Sequence, residues 1–292
     1  MLYQLSYTPA SRQGAPLSNE RCCGNAVLQA TALPLPPLHW CCALRSDILH
    51  YTMHAPPLPR PIPVETLLLA YRSGIFPMAD KREDADIFWV EPRERAILPL
   101  DGLHLSRSLR KIIRADRFAI TVNQSFESVI RACGEPRPGH PETWISERIV
   151  QSYLALHRAG HACSVECWLP DETGQRQLVG GLYGVAFDRV FCGESMFSRA
   201  DNASKVSLAW LVAILRRAGY VLLDCQFMTD HLRSMGAVEI PQTTYQKMIA
   251  AAGGQPISSL GTAWRAFMPE AGGDQSASSP GKAILQSFTQ TS

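Results

Sequence analysis

Two acids stand where a folded chain seldom places charge. Glu194 lies within Phe191-Cys192-Gly193-Glu194-Ser195-Met196-Phe197-Ser198-Arg199, and Asp224 follows Val221-Leu222-Leu223 and precedes Cys225-Gln226. Burying an ion costs several kcal/mol, so charges on apolar strand ends are paired or used. Two carboxylates, a glutamine amide, a thioether and aromatics describe a site that holds a cation beside an apolar group. The plainer reading is a pair of strand-end carboxylates satisfied by helix N-termini or arginine side chains.

A second constellation is basic. In Ser106 to Arg114, Arg107, Arg110, Lys111 and Arg114 recur at i, i+3, i+4 and i+7 and so share one helical face. Leu105, Leu109 and Ile112 are left to pack, and only Asp116 nearby offsets the charge. That face suits a phosphate backbone without base readout, although a charge run is more commonly a solvated surface. Trp144 and Tyr153, on or just before a helix, read as core aromatics, and His157, His161 and His231 as caps or core partners. No G-x-S-x-G, phosphate loop or local Cys–His nucleophile is present. Gln177-Leu178-Val179-Gly180-Gly181 is faintly like the strand and loop that hold acetyl-CoA in N-acetyltransferases. It continues as strand instead of opening a helix.

The elements that must position these groups follow from pattern. The chain has 292 residues, 46% hydrophobic and 18% charged, with net charge +2. That is a globular composition with no overall pull toward nucleic acid, and no apolar run approaches a membrane span. Nine cysteines without C-x-x-C or metal spacing read as reduced thiols of a cytoplasmic protein. Residues 1–60, broken by Pro34-Leu35-Pro36-Pro37 and the prolines from Pro56 to Pro61, read as a disordered extension, with Met53 a candidate start. Residues 256–292 read as a mostly disordered tail. Between them, helices are expected over 64–71, 106–114, 125–133, 146–158, 202–218 and 245–252, with a helical turn at 231–235. The 202–218 helix reads as amphipathic, capped by Asp201 or Asn202 and by Gly219. Strands are expected over 87–90, 96–100, 118–122, 163–169, 177–187, 190–196 and 220–225. Antiparallel strands interrupted by helices make a mixed α+β sheet behind a small leading subdomain.

Ordered along residues 62–252, several stretches together resemble the leucyl/phenylalanyl-tRNA–protein transferases. They are Ala70-Tyr71-Arg72-Ser73-Gly74-Ile75-Phe76-Pro77, Thr143-Trp144-Ile145, Gly160 to Glu166, Leu178 to Val185, Phe191 to Arg199, Asn202-Ala203-Ser204-Lys205, Asp224-Cys225-Gln226 and Gly236 to Pro241. The resemblance implies transfer of Leu or Phe from its tRNA to the α-amine of proteins beginning with Lys or Arg, marking them for N-end pathway degradation. It implies a small N-terminal α/β domain (61–105) before a GNAT-like catalytic domain (106–255), with no metal and no CoA. By the same resemblance Asp224 orients Gln226, whose side-chain carbonyl accepts from the attacking amine, and Glu194 attracts the cationic acceptor terminus. Leu182, Met196, Leu208, Leu211 and Leu223 would line the amino-acid pocket, and Tyr71, Trp144 and Tyr153 would contact the aminoacyl-adenosine end. Met78 stands where many relatives carry Trp, and Thr229 where some carry Asn.

Two other readings compete: a CoA-dependent N-acyltransferase of the GNAT superfamily, which needs a pyrophosphate loop, and a non-enzymatic RNA-binding module. The latter rests on the basic helix alone and leaves Glu194, Asp224 and Gln226 without a role.

Overall fold

The computed structural model describes residues 60–84, 86–136, 142–269 and 279–289. The expected extension over 1–60, Arg60 excepted, lies outside the described residues, as do 270–278 and 290–292 of the expected tail. The first helix, α1 (Val64–Arg72), buries Leu67, Leu68, Ala70 and Tyr71, a spacing that puts all four on one side. Its chain reverses at Gly74, where φ is +77° and a Cβ would come 2.8 Å from Gln242 Nε2. Only glycine meets both demands without strain. A two-stranded antiparallel ribbon follows, β1 (Phe76–Met78) on β2 (Phe88–Val90).

The main sheet has seven strands: β3 (Glu94–Ile97), β4 (Ala119–Val122), β5 (Ala162–Pro170), β6 (Arg176–Phe187), β7 (Val190–Ser198), β8 (Leu222–Gln226) and β9 (Val238–Pro241), in the order β4-β5-β6-β7-β8-β3-β9. Every pairing is antiparallel except β7 with β8. The crossover between those two is α5 (Ala203–Ala218). The remaining helices are α2 (Arg107–Arg114), α3 (Phe126–Cys133), α4 (Glu147–Arg158), α6 (Asp230–Ser234), α7 (Gln242–Ala251), α8 (Leu260–Arg265) and α9 (Pro280–Ser287). The mixed α+β reading therefore holds. β1 and β9, of three and four residues, are too short to carry a period-2 signal.

Two apolar layers sandwich the sheet. One contains α5 with Leu109 and Ile113 of α2, and the other contains residues of α1, α3, α4 and α7. The amphipathic expectation for 202–218 needs correction, because 13 of the 16 residues of α5 are buried. A helix apolar all round requires cover on every side. The expectation of a mostly disordered tail is corrected by the same fact, since α8 and α9 supply part of that cover. Leu260, Ala263 and Phe267 are buried, as are Ile284 and Leu285. Burying each of the last two contributes about 1.5–3 kcal/mol. Gly281 N donates to Asp116 Oδ1 at 2.7 Å, which fastens the start of α9 beside the end of α2. At the start of α5, Asn202 occupies the cap position with φ 68° but makes no side-chain cap. Ser198 Oγ accepts from Ser204 N at 3.2 Å instead.

Candidate active site

Strand β7 carries the device that aims Glu194. Tyr183 pairs with Ser195 and Gly184 with Gly193, so Glu194 is an extra, unpaired residue in the ladder. Such a bulge re-aims side chains and bends its strand. Before it, Val190 and Cys192 belong to the layer of α1 and α4, whereas beyond it Met196 belongs to the α5 layer and Phe197 to the other. The facing phase has slipped by one residue. Gly184, opposite the bulge, has no room for a side chain, since a Cβ would lie 2.3 Å from Cys192 O.

Glu194 is fully buried and held by three donors. Tyr71 and Gln226 Nε2 reach Oε1 at 2.8 and 2.9 Å, and Tyr153 reaches Oε2 at 2.9 Å. The two tyrosine hydroxyls also touch each other; each has one proton, so whichever donates across that contact gives up its bond to the ionised carboxylate. Burial pushes the Glu194 carboxyl up to about 7 despite these donors, with Asp224 adding to the rise. Burial, then the nearby Glu194 charge, raises both tyrosine hydroxyls well above their ordinary range, so they remain donors.

Asp224 is met by a residue that sequence reasoning misses. Arg95 of β3, fully buried, donates through Nε to Oδ1 at 2.9 Å and through Nη2 to Oδ2 at 2.6 Å. Burial acts to lower the Arg95 pKa, and Asp224 outweighs it, so the guanidinium stays charged. Tyr245 of α7 adds a third donor to Asp224, at 2.9 Å. The plainer reading of Asp224 as an arginine-satisfied carboxylate is thus correct for its charge. The available signal is weak, an arginine that leads directly into the apolar run Ala96-Ile97-Leu98 behind Arg93 and Glu94.

Gln226 sits between the two carboxylates. Its backbone N donates to Asp224 Oδ1 at 2.8 Å, and its side-chain amide N is committed to Glu194. Its φ is 62°, and Phe227 N closes a three-residue turn onto Cys225 O at 2.8 Å. This is the rare γ-turn with positive φ, a conformation that costs a side-chain-bearing residue about 1–2 kcal/mol. Asp224 therefore orients Gln226 through its backbone, and the side-chain carbonyl is the acceptor left over.

The β7–β8 register ends at Cys192↔Asp224, just before Glu194 and Gln226. A small apolar cavity of about 20 Å³ lies there, lined by Leu182, Met196, Leu208, Leu211 and Leu223, with Tyr183, Gly193, Ser195, Cys225 and Leu232. All five residues assigned to an amino-acid pocket thus line one cavity. Tyr71 and Tyr153 are wholly covered and Trp144 is 9% exposed, so the two tyrosines brace Glu194 and offer no open ring face. Met78 is buried, and Thr229 caps α6 by accepting from Leu232 N at 3.2 Å. His157 is a core partner, stacked on Phe126 with its Nδ1 2.8 Å from Ala162 O.

A profile of the family described as leucyl/phenylalanyl-tRNA protein transferase matches residues 97–250, and one of that family's N-terminal domain matches 60–93. The chain belongs to this transferase family. The leucyl/phenylalanyl-tRNA–protein transferase of Novosphingobium aromaticivorans is 52% identical over 264 residues, covering 80% of this chain and 98% of its own. Its namesake in Zymomonas mobilis is 55% identical over 186 residues, covering 64% and 68%. That of Chlorobaculum tepidum is 51% identical over 197 residues, covering 68% and 98%. The resemblance read from the sequence therefore stands. Every candidate site residue lies inside a matched segment, and Arg95 falls between the two.

Away from the cavity, α2 presents its basic face. Ser106 caps it by accepting from Leu109 N at 3.2 Å. Arg107, Lys111 and Arg114 are exposed, and Arg110 is half-buried with its Nε on Leu105 O at 3.2 Å. Among the described residues none of the four joins a salt bridge. Replacing all four by Gln is expected to flatten the salt dependence of tRNA binding, by somewhat under one unit of slope for each phosphate no longer neutralised. Filter binding across a salt series measures it, and an unchanged slope would assign this face to solvent.

Proposed function

We propose that this chain transfers leucine or phenylalanine from aminoacyl-tRNA to the α-amine of proteins beginning with Lys or Arg. The observation that carries the reading is a buried glutamine amide locked onto a buried carboxylate beside an apolar cavity, in a chain of this family. The donor is already an activated ester. The enzyme has to align it with a deprotonated amine and stabilise the charge that develops. The amine nitrogen attacks the ester carbonyl carbon, a peptide bond forms, and the terminal ribose oxygen of the tRNA leaves carrying a proton. Gln226 Oε1 accepts a hydrogen bond from the attacking amine, whose pKa near 8 leaves a usable neutral fraction at pH 7. Glu194, when ionised, attracts the cationic acceptor terminus. The cavity, about the size of one water in this structure, takes the side chain of the transferred residue once its flexible lining has moved apart, and the α2 face holds tRNA phosphates. Trp144, Tyr71 and Tyr153 are assigned to the aminoacyl-adenosine end, Trp144 alone of the three keeping some exposure.

The same proposal includes a GNAT-like catalytic domain over 106–255 and a small domain over 61–105 that lends β3 to its sheet. The parallel β7–β8 pair, parting beside the site in an otherwise antiparallel sheet, supports it. Acting on tRNA, the protein would work in the cytoplasm and mark acceptors for N-end degradation. Side-by-side incubation of an Arg-initiated peptide with Leu-tRNA and with acetyl-CoA tests the donor. Transfer from the tRNA alone is expected, and acetylation would favour the CoA-dependent reading.

Met196 is unbranched and polarizable, which suits a cavity that accepts both an isobutyl group and a planar ring. Met196→Ala is expected to penalise Leu more than Phe, because the smaller side chain leaves the larger void. A change of this size shifts selection by about 1–3 kcal/mol. Competition between Leu-tRNA and Phe-tRNA reads the ratio. Equal falls in both rates would make Met196 packing alone.

A further inference from the structure

We infer that Arg95 is a positioning residue that locks both carboxylate sites together by tying the end of α1 to the Asp224–Gln226 turn. The inference rests on the transfer reading above. All three nitrogens of the guanidinium donate. Nε and Nη2 grip the two oxygens of Asp224, and Nη1 donates to Gly74 O at 3.1 Å. Its plane lies against two rings, with Cζ 4.9 Å from the Phe76 centroid and 4.4 Å from that of Tyr245.

Both grips lead to Glu194, by different routes. Through Asp224 it fixes the backbone N of Gln226, and so the glutamine amide that donates to Glu194. Through Gly74, whose N returns to Tyr71 O at 3.0 Å, it fixes the last turn of α1, from which Tyr71 also donates to Glu194. Glu194 is therefore held from two sides by residues that both trace back to one guanidinium. Gln242 Nε2 reaches the same Gly74 carbonyl at 3.1 Å, so the junction is shared with α7. A lysine has one charged point and no planar fork, and cannot reproduce this geometry.

The test compares Arg95→Lys, Arg95→Met and Tyr245→Phe with the unmodified protein, each checked for folding by circular dichroism. Arg95→Lys keeps a buried cation and serves should Arg95→Met fail to fold. At saturating Leu-tRNA and Arg-peptide, the single-turnover rate of Arg95→Lys should fall about 10²-fold, the scale of a small misplacement of reacting groups. The Kd for Leu-tRNA should change far less than the rate, since Arg95 itself lines neither the cavity nor the basic face of α2. Hydrogen exchange, measured without substrate, should quicken together over 64–74 and 222–227. Tyr245→Phe removes one donor from Asp224 and one acceptor from Arg95 Nη2 but keeps the guanidinium, its Asp224 fork and its Gly74 bond, so exchange over 64–74 should change far less than in Arg95→Lys. A rate within about threefold of the unmodified protein overturns the inference. So does faster exchange confined to 222–227, or equal loosening of α1 by Tyr245→Phe. If the unmodified protein transfers nothing, the proposed function fails, and the exchange data still decide whether Arg95 couples the two segments.

Discussion

Asp224→Ala is expected to unfold far more readily than the unmodified protein, whereas Gln226→Gly is expected to fold well and transfer poorly. The difference follows from what each side chain leaves behind. Asp224 is the only carboxylate paired with Arg95 among the described salt bridges, and both side chains are fully buried. Removing one partner of a buried pair strands the other charge and costs about 3–5 kcal/mol. Gln226 sits at φ 62°, where glycine is at ease, so Gln226→Gly relieves backbone strain while removing the amide. Loss of the hydrogen bond that Gln226 Oε1 accepts from the attacking amine then costs about 2.7–4 kcal/mol in rate, the scale of one lost transition-state hydrogen bond. Urea unfolding alongside single-turnover transfer separates the two variants. A Gln226→Gly protein that transfers at near-normal rate would remove the glutamine from the mechanism, and an Asp224→Ala protein of unchanged stability would contradict the buried pair.

Glu194 should make both stability and transfer depend on pH. Its carboxyl is raised from 4.5 to about 7, first by burial and then by Asp224, against three hydrogen bonds that lower it. Between those values the folded protein keeps a proton that the unfolded chain releases. The contribution to stability is whole below about 4.5 and is lost as pH rises through 7. The interval corresponds to about 3 kcal/mol. Glu194→Gln, which keeps the shape without the charge, should lose that dependence and be the more stable form at pH 8. Transfer should move oppositely, because the anion that attracts the cationic amine forms only as pH rises through 7. The amine's own loss of a proton adds a second rise near 8, which Glu194→Gln should retain alone. Urea midpoints at pH 5 and pH 8 for the two proteins measure the first effect. Parallel behaviour would mean that Glu194 is ionised throughout.

The sequence made some of this site legible and hid the rest for identifiable reasons. Glu194, Asp224 and Gln226 stood out because charge and amide interrupt apolar runs, and the five cavity residues came with the family resemblance. Arg95 was hidden because its partner lies far along the chain, and Glu94-Arg95 reads as an ordinary charged strand end. Tyr245 was hidden because a tyrosine opening a helix gives no sign that its hydroxyl reaches another strand. The bulge at Glu194 was unreadable, since a one-residue slip in pairing leaves no mark on a single strand. For the fold, α5 announced itself through length and its closing Gly219. What covers its far side did not, because α8 and α9 bury only a few large residues each and are too short to show a period. Asn202 carried the right type at the right position, yet Ser198 does the capping, a choice made by the turn between β7 and α5.

The most direct test of the central claim is the mass of the product formed from Leu-tRNA and two peptides that differ only at the N-terminus, one with a free Arg α-amine and one with that amine acetylated. The account predicts that the free peptide gains one leucine residue through a new N-terminal peptide bond, and that the acetylated peptide gains nothing. Leucine on the acetylated peptide, or no transfer to the free one from a protein that binds Leu-tRNA, would contradict it.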